Sequence, residues 1–285
     1  MLAGIDIMLK GQVMRLISML TVLLLACNCL AVCQAVEPNS IETLLDQGRR
    51  LQQHGDYLYA ARVFRYVAQL STDSLQQAEA LYRYVTCGDQ AIRILGLRQV
   101  ISQAIGLTTT FDELAAPFDS IGIRIRMAQY FESYYVNVDT STRQILATRY
   151  SKTPWGELAT YDLIENELSW DGTPLFNDPH IVVERARAFH LRYPNSKLKY
   201  DVHFILGRAY QDLWSFFHKG YYKDMLTDSE RANPDSIRLE SIRQLETAKK
   251  SRRQLQKRSW SEADDKLLKQ LREGQETRGY FYFGD

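Results

Sequence analysis

Five histidines, four cysteines and scattered carboxylates are the side chains from which this sequence could build a reactive centre. His54, His180, His190, His203 and His218 form no His-Glu-x-x-His pattern, and no two of them stand four residues apart on one helix. A zinc or di-iron site draws its ligands from such converging positions. The best constellation is Asp178 with His180, joined by His203 if folding brings it near; as surface or capping residues the three need no metal. Glu165 and Glu167 flank Asn166 on a predicted helix. They point in different directions, whereas glycoside hydrolysis needs two carboxylates facing each other across a cleft. The chain has no Gly-x-Ser-x-Gly elbow, phosphate-cradling loop or dinucleotide-binding glycine turn. Three of the cysteines, Cys27, Cys29 and Cys33, lie in an apolar leader, which leaves Cys87 without a disulfide partner or zinc-ligand spacing. Beside Gly88 and Asp89, Cys87 reads as a small buried hydrophobe. The expectation is no catalytic, cofactor-binding or metal-ligating residue, and a protein that is not an enzyme.

Residues 1–35 read as a signal peptide. Lys10 and Arg15 supply the positive end, Val13 to Val32 is nearly all apolar, and Cys33-Gln34-Ala35 offers small residues at a cleavage point after Ala35. Met8 or Met14 could equally be the start. Two alternatives stand beside this. The apolar run approaches the length that spans a bilayer, which would make it a retained anchor. Leu24-Leu25-Ala26-Cys27 resembles a lipobox, which would leave Cys27 lipidated, although Leu25 fits its position poorly. Removing residues 1–35 takes Lys10, Arg15 and Asp6 away and leaves basic and acidic residues equal in number. A net charge near zero argues against nucleic acid as the partner.

The elements that must position any site come from a phrase used twice. Arg149-Tyr150 lies over Arg192-Tyr193, Tyr161 over Phe204 and Leu163 over Leu206, at a constant offset of 43 residues. A period in that range belongs to stacked helix pairs. Apolar residues recur at helical spacing from Ile41 to Leu51 and from Tyr57 to Ala68, with His54-Gly55-Asp56 between them. Ser74 is expected to cap a third helix ending at Gly88-Asp89, and Ile92 to Ile105 a fourth. Residues 106–120 read as a linker with a short helical piece at Phe111 to Ala115. Ile121 to Tyr135 fits both a strand and a helix; the helix is chosen because no second strand signal stands nearby. Thr153-Pro154 and Asp178-Pro179 are helix starts with proline at the first position. Tyr193 to Ser196 is a break with a cap. Lys223 to Pro234 reads as a polar loop and Ser236 to Gln256 as a helix. Ser259 with Glu262 suggests a capping box for a last helix, supported by Glu262–Lys266 and Asp265–Lys269 pairs.

Gly48, Gly55-Asp56-Tyr57, Ala60 and Phe64 occupy the places of the small residue, turn and phenylalanine of a tetratricopeptide repeat. Phe189, Pro194, Leu206-Gly207 and Tyr210 fit the same pattern, so residues 40–86 and 141–213 resemble that family. The closing proline of the first unit is absent, and Ser71-Thr72-Asp73 stands there instead. The phrase is also similar to repeats of outer-membrane-assembly lipoproteins and related envelope scaffolds. The resemblance implies an all-α fold, a right-handed stack of antiparallel helix pairs forming an α-solenoid. The expected division is signal peptide 1–35, helix pairs 36–106, connector 107–140, helix pairs 141–222, C-terminal helices 223–278 and an aromatic tail 279–285.

What such a stack implies is protein–protein interaction in a bacterial envelope, periplasmic or secreted. The partner, a protein or peptide, would lie in a concave groove near Tyr150, Tyr161, Tyr193 and Tyr210. Membrane contact is expected only through a lipidated Cys27 or a retained signal. The alternatives are a lipid-anchored subunit of an outer-membrane assembly or secretion complex, and an envelope hydrolase on a helical scaffold. The basic run Lys249, Lys250, Arg252, Arg253, Lys257 and Arg258 reads as a solvated helix face, since acidic residues follow at once. Tyr280 to Phe283 is expected to fold back on the chain's own apolar surface, with docking into a partner as the other option.

Overall fold

The computed structural model of the chain describes residues 38–104, 116–123, 125–130, 133–138, 140–168, 178–218, 224 and 226–277. The leader, the proposed piece at Phe111 to Ala115 and the aromatic tail lie outside the described residues. In chain order the elements are α1 (Pro38–Gln53), α2 (Tyr57–Leu70), α3 (Ser74–Ala104), β1 (Ile125–Tyr130), β2 (Ser133–Val138), α4 (Ser141–Arg149) and α5 (Pro154–Leu168). Then follow α6 (Pro179–Arg192), α7 (Lys199–His218), α8 (Asp228–Ala232), α9 (Pro234–Lys250), a 3-10 turn (Arg252–Gln254) and α10 (Glu262–Arg272). The architecture is helical, with one antiparallel hairpin set against α3. Packing follows chain order. α1 lies on α2, α2 on α3, α3 on α4 and α5, α5 on α6, α6 on α7, α7 on α9, and α9 on α10.

The 43-residue phrase folds into the same local structure twice. Tyr150 and Tyr193 each end a helix, donating the backbone N–H to Leu146 O and Phe189 O. Thr153 and Ser196, also 43 apart, donate backbone N–H groups to Tyr150 O and Tyr193 O. The Thr153 hydroxyl then accepts from Gly156 N (3.1 Å), satisfying an orphan donor at the start of α5, and the Ser196 hydroxyl accepts from Leu198 N (2.9 Å) just before α7. Tyr161 and Phe204 are both buried.

Residues 38–123 carry one core, including Leu45, Ala60, Phe64, Val85, Phe118 and Ile121. Gly48 is required there: a Cβ on it would lie 2.6 Å from Phe64 Cε1. Gly55 turns the chain between α1 and α2 with φ +84°. A second core joins α5 to α10, with Tyr161, Phe189, Ile205, Leu213, Leu245 and Leu268 among its members. A small cluster of Ala78, Tyr82, Leu146, Tyr150 and Ala159 links the two. Fully burying one such large apolar side chain is worth about 1.5–3 kcal/mol.

Several expectations are corrected. The third and fourth helices are one helix of 31 residues running straight through Gly88. A helical glycine costs about 1 kcal/mol without forcing a break, and here it makes room for Ile123, whose Cδ1 would stand 2.6 Å from a Cβ. Asp73, not Ser74, caps α3, accepting from Leu75 N and Gln76 N. Residues 125–130 and 133–138 pair as antiparallel strands, Ile125 with Val138 and Tyr130 with Ser133, in place of the expected helix. The missed second strand is Tyr134-Tyr135-Val136-Asn137-Val138, whose aromatic and β-branched residues favour extended backbone. Thr227 and Glu230 close a capping box on the short helix α8, inside the stretch read as a loop. The last capping box is Ser261 with Asp264, two residues beyond Ser259–Glu262. Asp265 pairs with Lys249 (2.8 Å) across to α9 instead of with Lys269.

Candidate functional site

A pocket of about 210 Å³ lies between α4, α5 and α6. Leu163, Ile164, Ala188 and Phe189 give it an apolar floor; Gln144, Thr160, Arg185 and Arg192 give it a polar rim. The spacing builds it. Arg185, Ala188, Phe189 and Arg192 fall on one stripe of α6, while Thr160, Leu163 and Ile164 do so on α5. Arg192 Nη1 donates to Ala147 O at 3.2 Å, which ties the rim to α4. Thr160 Oγ1 donates to Gly156 O at 2.7 Å. An apolar floor beneath arginine donors suits an aliphatic side chain next to a carboxylate.

The four tyrosines expected to line a groove are structural. Tyr150, Tyr161 and Tyr210 are buried, and Tyr193 is half-buried. Tyr150 donates its hydroxyl to Gln77 on α3, and Tyr193 donates to Ser151 O (3.0 Å) in the turn before α5. Each helix-ending tyrosine therefore fastens its unit to the one before it. Tyr161 donates to Glu165 at 2.8 Å, and Tyr210 accepts from Arg187.

Folding brings Asp178 and His180 together but not His203. Asp178 caps α6, and its carboxylate also meets His180 Nδ1 at 2.8 Å. The third partner is Glu230, 2.9 Å from His180 Nε2. Burial opposes charge on this imidazole, yet the bonds to Glu230 and Asp178 outweigh it and raise its pKa. His203 instead meets Gln244 Oε1 at 2.6 Å and lies against His190, with ring centroids 4.4 Å apart and the rings tilted by 36°. Burial, followed by the neighbouring His203, brings His190 down to about 4. Among the described residues no group of three or more side chains could hold a metal ion. Cys87 is fully buried, and burial pushes its thiol up to about 12, far from the thiolate a nucleophile requires.

Glu165 is engaged by Tyr161 and by Arg258 at 3.2 Å, while the side chain of Glu167 lies outside the described residues. The basic run divides. Lys249 pairs with Asp265, and the backbone N–H groups of Gln256, Lys257 and Arg258 converge on the fully buried Asp201 at 2.8–3.0 Å. Sequence reading missed a buried charge cluster. Arg143 on α4 bonds Asp89 on α3 and stands 3.9 Å from Asp162 on α5. Burial raises Asp162 to about 6 even though Arg143 and Lys257 oppose it. A signal was present: Arg143, Leu146, Ala147 and Tyr150 share one helix stripe, and all four are buried.

Comparison with protein-family models, with curated proteins and with solved structures finds no match to this chain. Among the described residues no helix is long and apolar enough to cross a membrane.

Proposed function

We propose that this chain is an exported helical-repeat scaffold, a right-handed stack of antiparallel helix pairs, that binds a protein or peptide partner in a bacterial envelope. The observation that carries the reading is the pocket spanning three successive helices, an apolar floor under Arg185 and Arg192. The recurring helix-end geometry and the chain-order packing support a stacked arrangement. The partner segment carries an aliphatic residue beside an acidic one. In a capture experiment from the native envelope, Ala188→Trp fills the pocket and Arg192→Glu cancels its positive charge. Ala188→Trp is expected to melt like the parent and Arg192→Glu somewhat lower, since it also loses the bond to Ala147 O; with both folded at the capture temperature, each should recover the partner at least about tenfold less well, equivalent to about 1.4 kcal/mol. Undiminished recovery by both would refute the site.

Export rests on the leader, and intact mass of protein from its own host decides the form. A mature N-terminus at Val36 is expected. An acylated N-terminal Cys27 would replace the soluble scaffold with the lipid-anchored subunit favoured by Leu24-Leu25-Ala26-Cys27. A chain retaining residues 1–35 in the membrane fraction would defeat both.

A further inference from the structure

His180 sits between two carboxylates from different parts of the chain. Nδ1 lies 2.8 Å from Asp178 Oδ1, and Nε2 lies 2.9 and 3.1 Å from the two oxygens of Glu230. A neutral imidazole has one N–H and can donate to only one of them. Satisfying both at once requires the imidazolium, with a donor on each side. Glu230 is also the third residue of the α8 capping box, accepting from Thr227 N and Thr227 Oγ1, both at 2.8 Å. The ion pair therefore ends on a structural carboxylate, not on a free surface chain. The helix it holds belongs to the connection between α7 and α9. That connection seats Leu226 in the core, and Leu226 O accepts from Arg231 at 2.7 Å.

We propose that Asp178, His180 and Glu230 form a pH-gated clamp that fastens α8 to the start of α6 in acid and releases it in alkaline solution. The strongest charged groups acting on the ring are both acidic, Asp178 at the cap of its own helix and Glu230 on α8. The nearest cation on α8, Arg231, is turned toward Asp228 and the Leu226 carbonyl. A histidine whose pKa is raised on folding contributes its full stabilisation below the unfolded value near 6.5, and that contribution is lost as pH rises through the folded value. His190 and His203 shift the other way and titrate on the acid side, so their transitions are separate.

Two measurements on the full chain test the clamp. The His180 ring resonances, assigned by their loss in His180→Gln, should titrate with a midpoint above about 6.5. Amide hydrogen exchange over residues 226–232, corrected for the chemical exchange rate, should show protection falling at least about tenfold from pH 5.5 to pH 9. In His180→Gln that protection should be low and independent of pH. Glu230→Gln keeps a capping-box side chain and removes the charge, so it should lower the His180 midpoint in a folded protein. A midpoint at or below the free-imidazole value, or equal protection in parent and His180→Gln across the range, overturns the clamp.

Discussion

Gly207→Leu is expected to lower the melting temperature sharply, because α7 and α9 meet at that position with no space for a side chain. A Cβ on Gly207 would lie 2.5 Å from Leu245 Cγ and 3.1 Å from Leu245 N. The contact is fixed from two sides. Leu245 is fully buried, and Ser241 Oγ donates to Gly207 O at 2.7 Å inside the same crossing. Overpacking of this kind costs about 1–3 kcal/mol. In a chain of this size each kcal/mol moves the melting temperature by roughly 2–4 °C. Gly207→Ala is not a neutral control, since its methyl meets the same leucine; its better helix propensity offsets only about 1 kcal/mol. Leu245→Ala gives the new methyl room. The double variant Gly207→Ala/Leu245→Ala should therefore be more stable than the two single changes predict when added. Melting of Gly207→Leu within error of the parent would show that the helices do not cross closely here.

How much of this fold could be read from the chain depended on how local each signal was. Pro154 and Pro179 at first helical positions, with Thr153 and Asp178 before them, name their helix starts because cap and helix are neighbours in sequence. The repeated phrase named two equivalent turns for the same reason. Gly88 misled because glycine is punctuation only where the surroundings allow the chain to turn. With Ile123 packed against it, the helix gains more by continuing. The hairpin was missed because strand pairing is a relation between two segments, and the period of Ile121 to Tyr135 alone suits either structure. The candidate pocket was illegible for a related reason. Gln144, Thr160 and Arg192 become neighbours only when three helices pack. The tyrosines that looked like groove anchors carry phenol groups that a buried helix crossing can use equally well.

Buried charge follows the same division, and α7 concentrates it. Asp201, Arg208, Gln211, Asp212 and Ser215 are all buried on this helix, which therefore lacks the polar outer face of an ordinary amphipathic helix. Its charged groups reach segments far along the chain. Asp201 collects three consecutive N–H groups from residues 256–258, and Arg208 reaches Asp264. Gln211 Nε2 donates to Thr277 Oγ1 at 3.3 Å, so the segment leading toward the aromatic tail lies against α7. Helix α7 is the post to which the C-terminal part of the protein is tied.

Asp264→Ala should therefore be the most damaging single change among these ties. Arg208 Nη2 and Asp264 Oδ1 are 2.5 Å apart, with side-chain exposures of 11% and 4%. Removing one partner of a buried ion pair costs about 3–5 kcal/mol. The same carboxylate accepts from Ser261 N (2.8 Å) and Ser261 Oγ (2.6 Å) at the start of α10. Ser261 stays as the cap, and losing the other half of the capping box adds about 0.5–1.5 kcal/mol. The damage should spread, because α10 contributes Leu267, Leu268 and Leu271 to the core. A melting temperature lowered by roughly 10 °C or more is expected, with early loss of exchange protection over residues 262–272. Asp264→Asn should fall between parent and alanine variant, since its amide oxygen can still accept at the cap while the charge is gone. The double change Arg208→Met/Asp264→Ala should cost less than the sum of the two single changes, because it removes both charges together. If Asp264→Ala melts with the parent, the pair does not hold α10 to α7, and the C-terminal helix is kept in place by its leucines and its ties to α9, Lys249–Asp265, Glu246–Arg272 and Arg238 to Leu271 O.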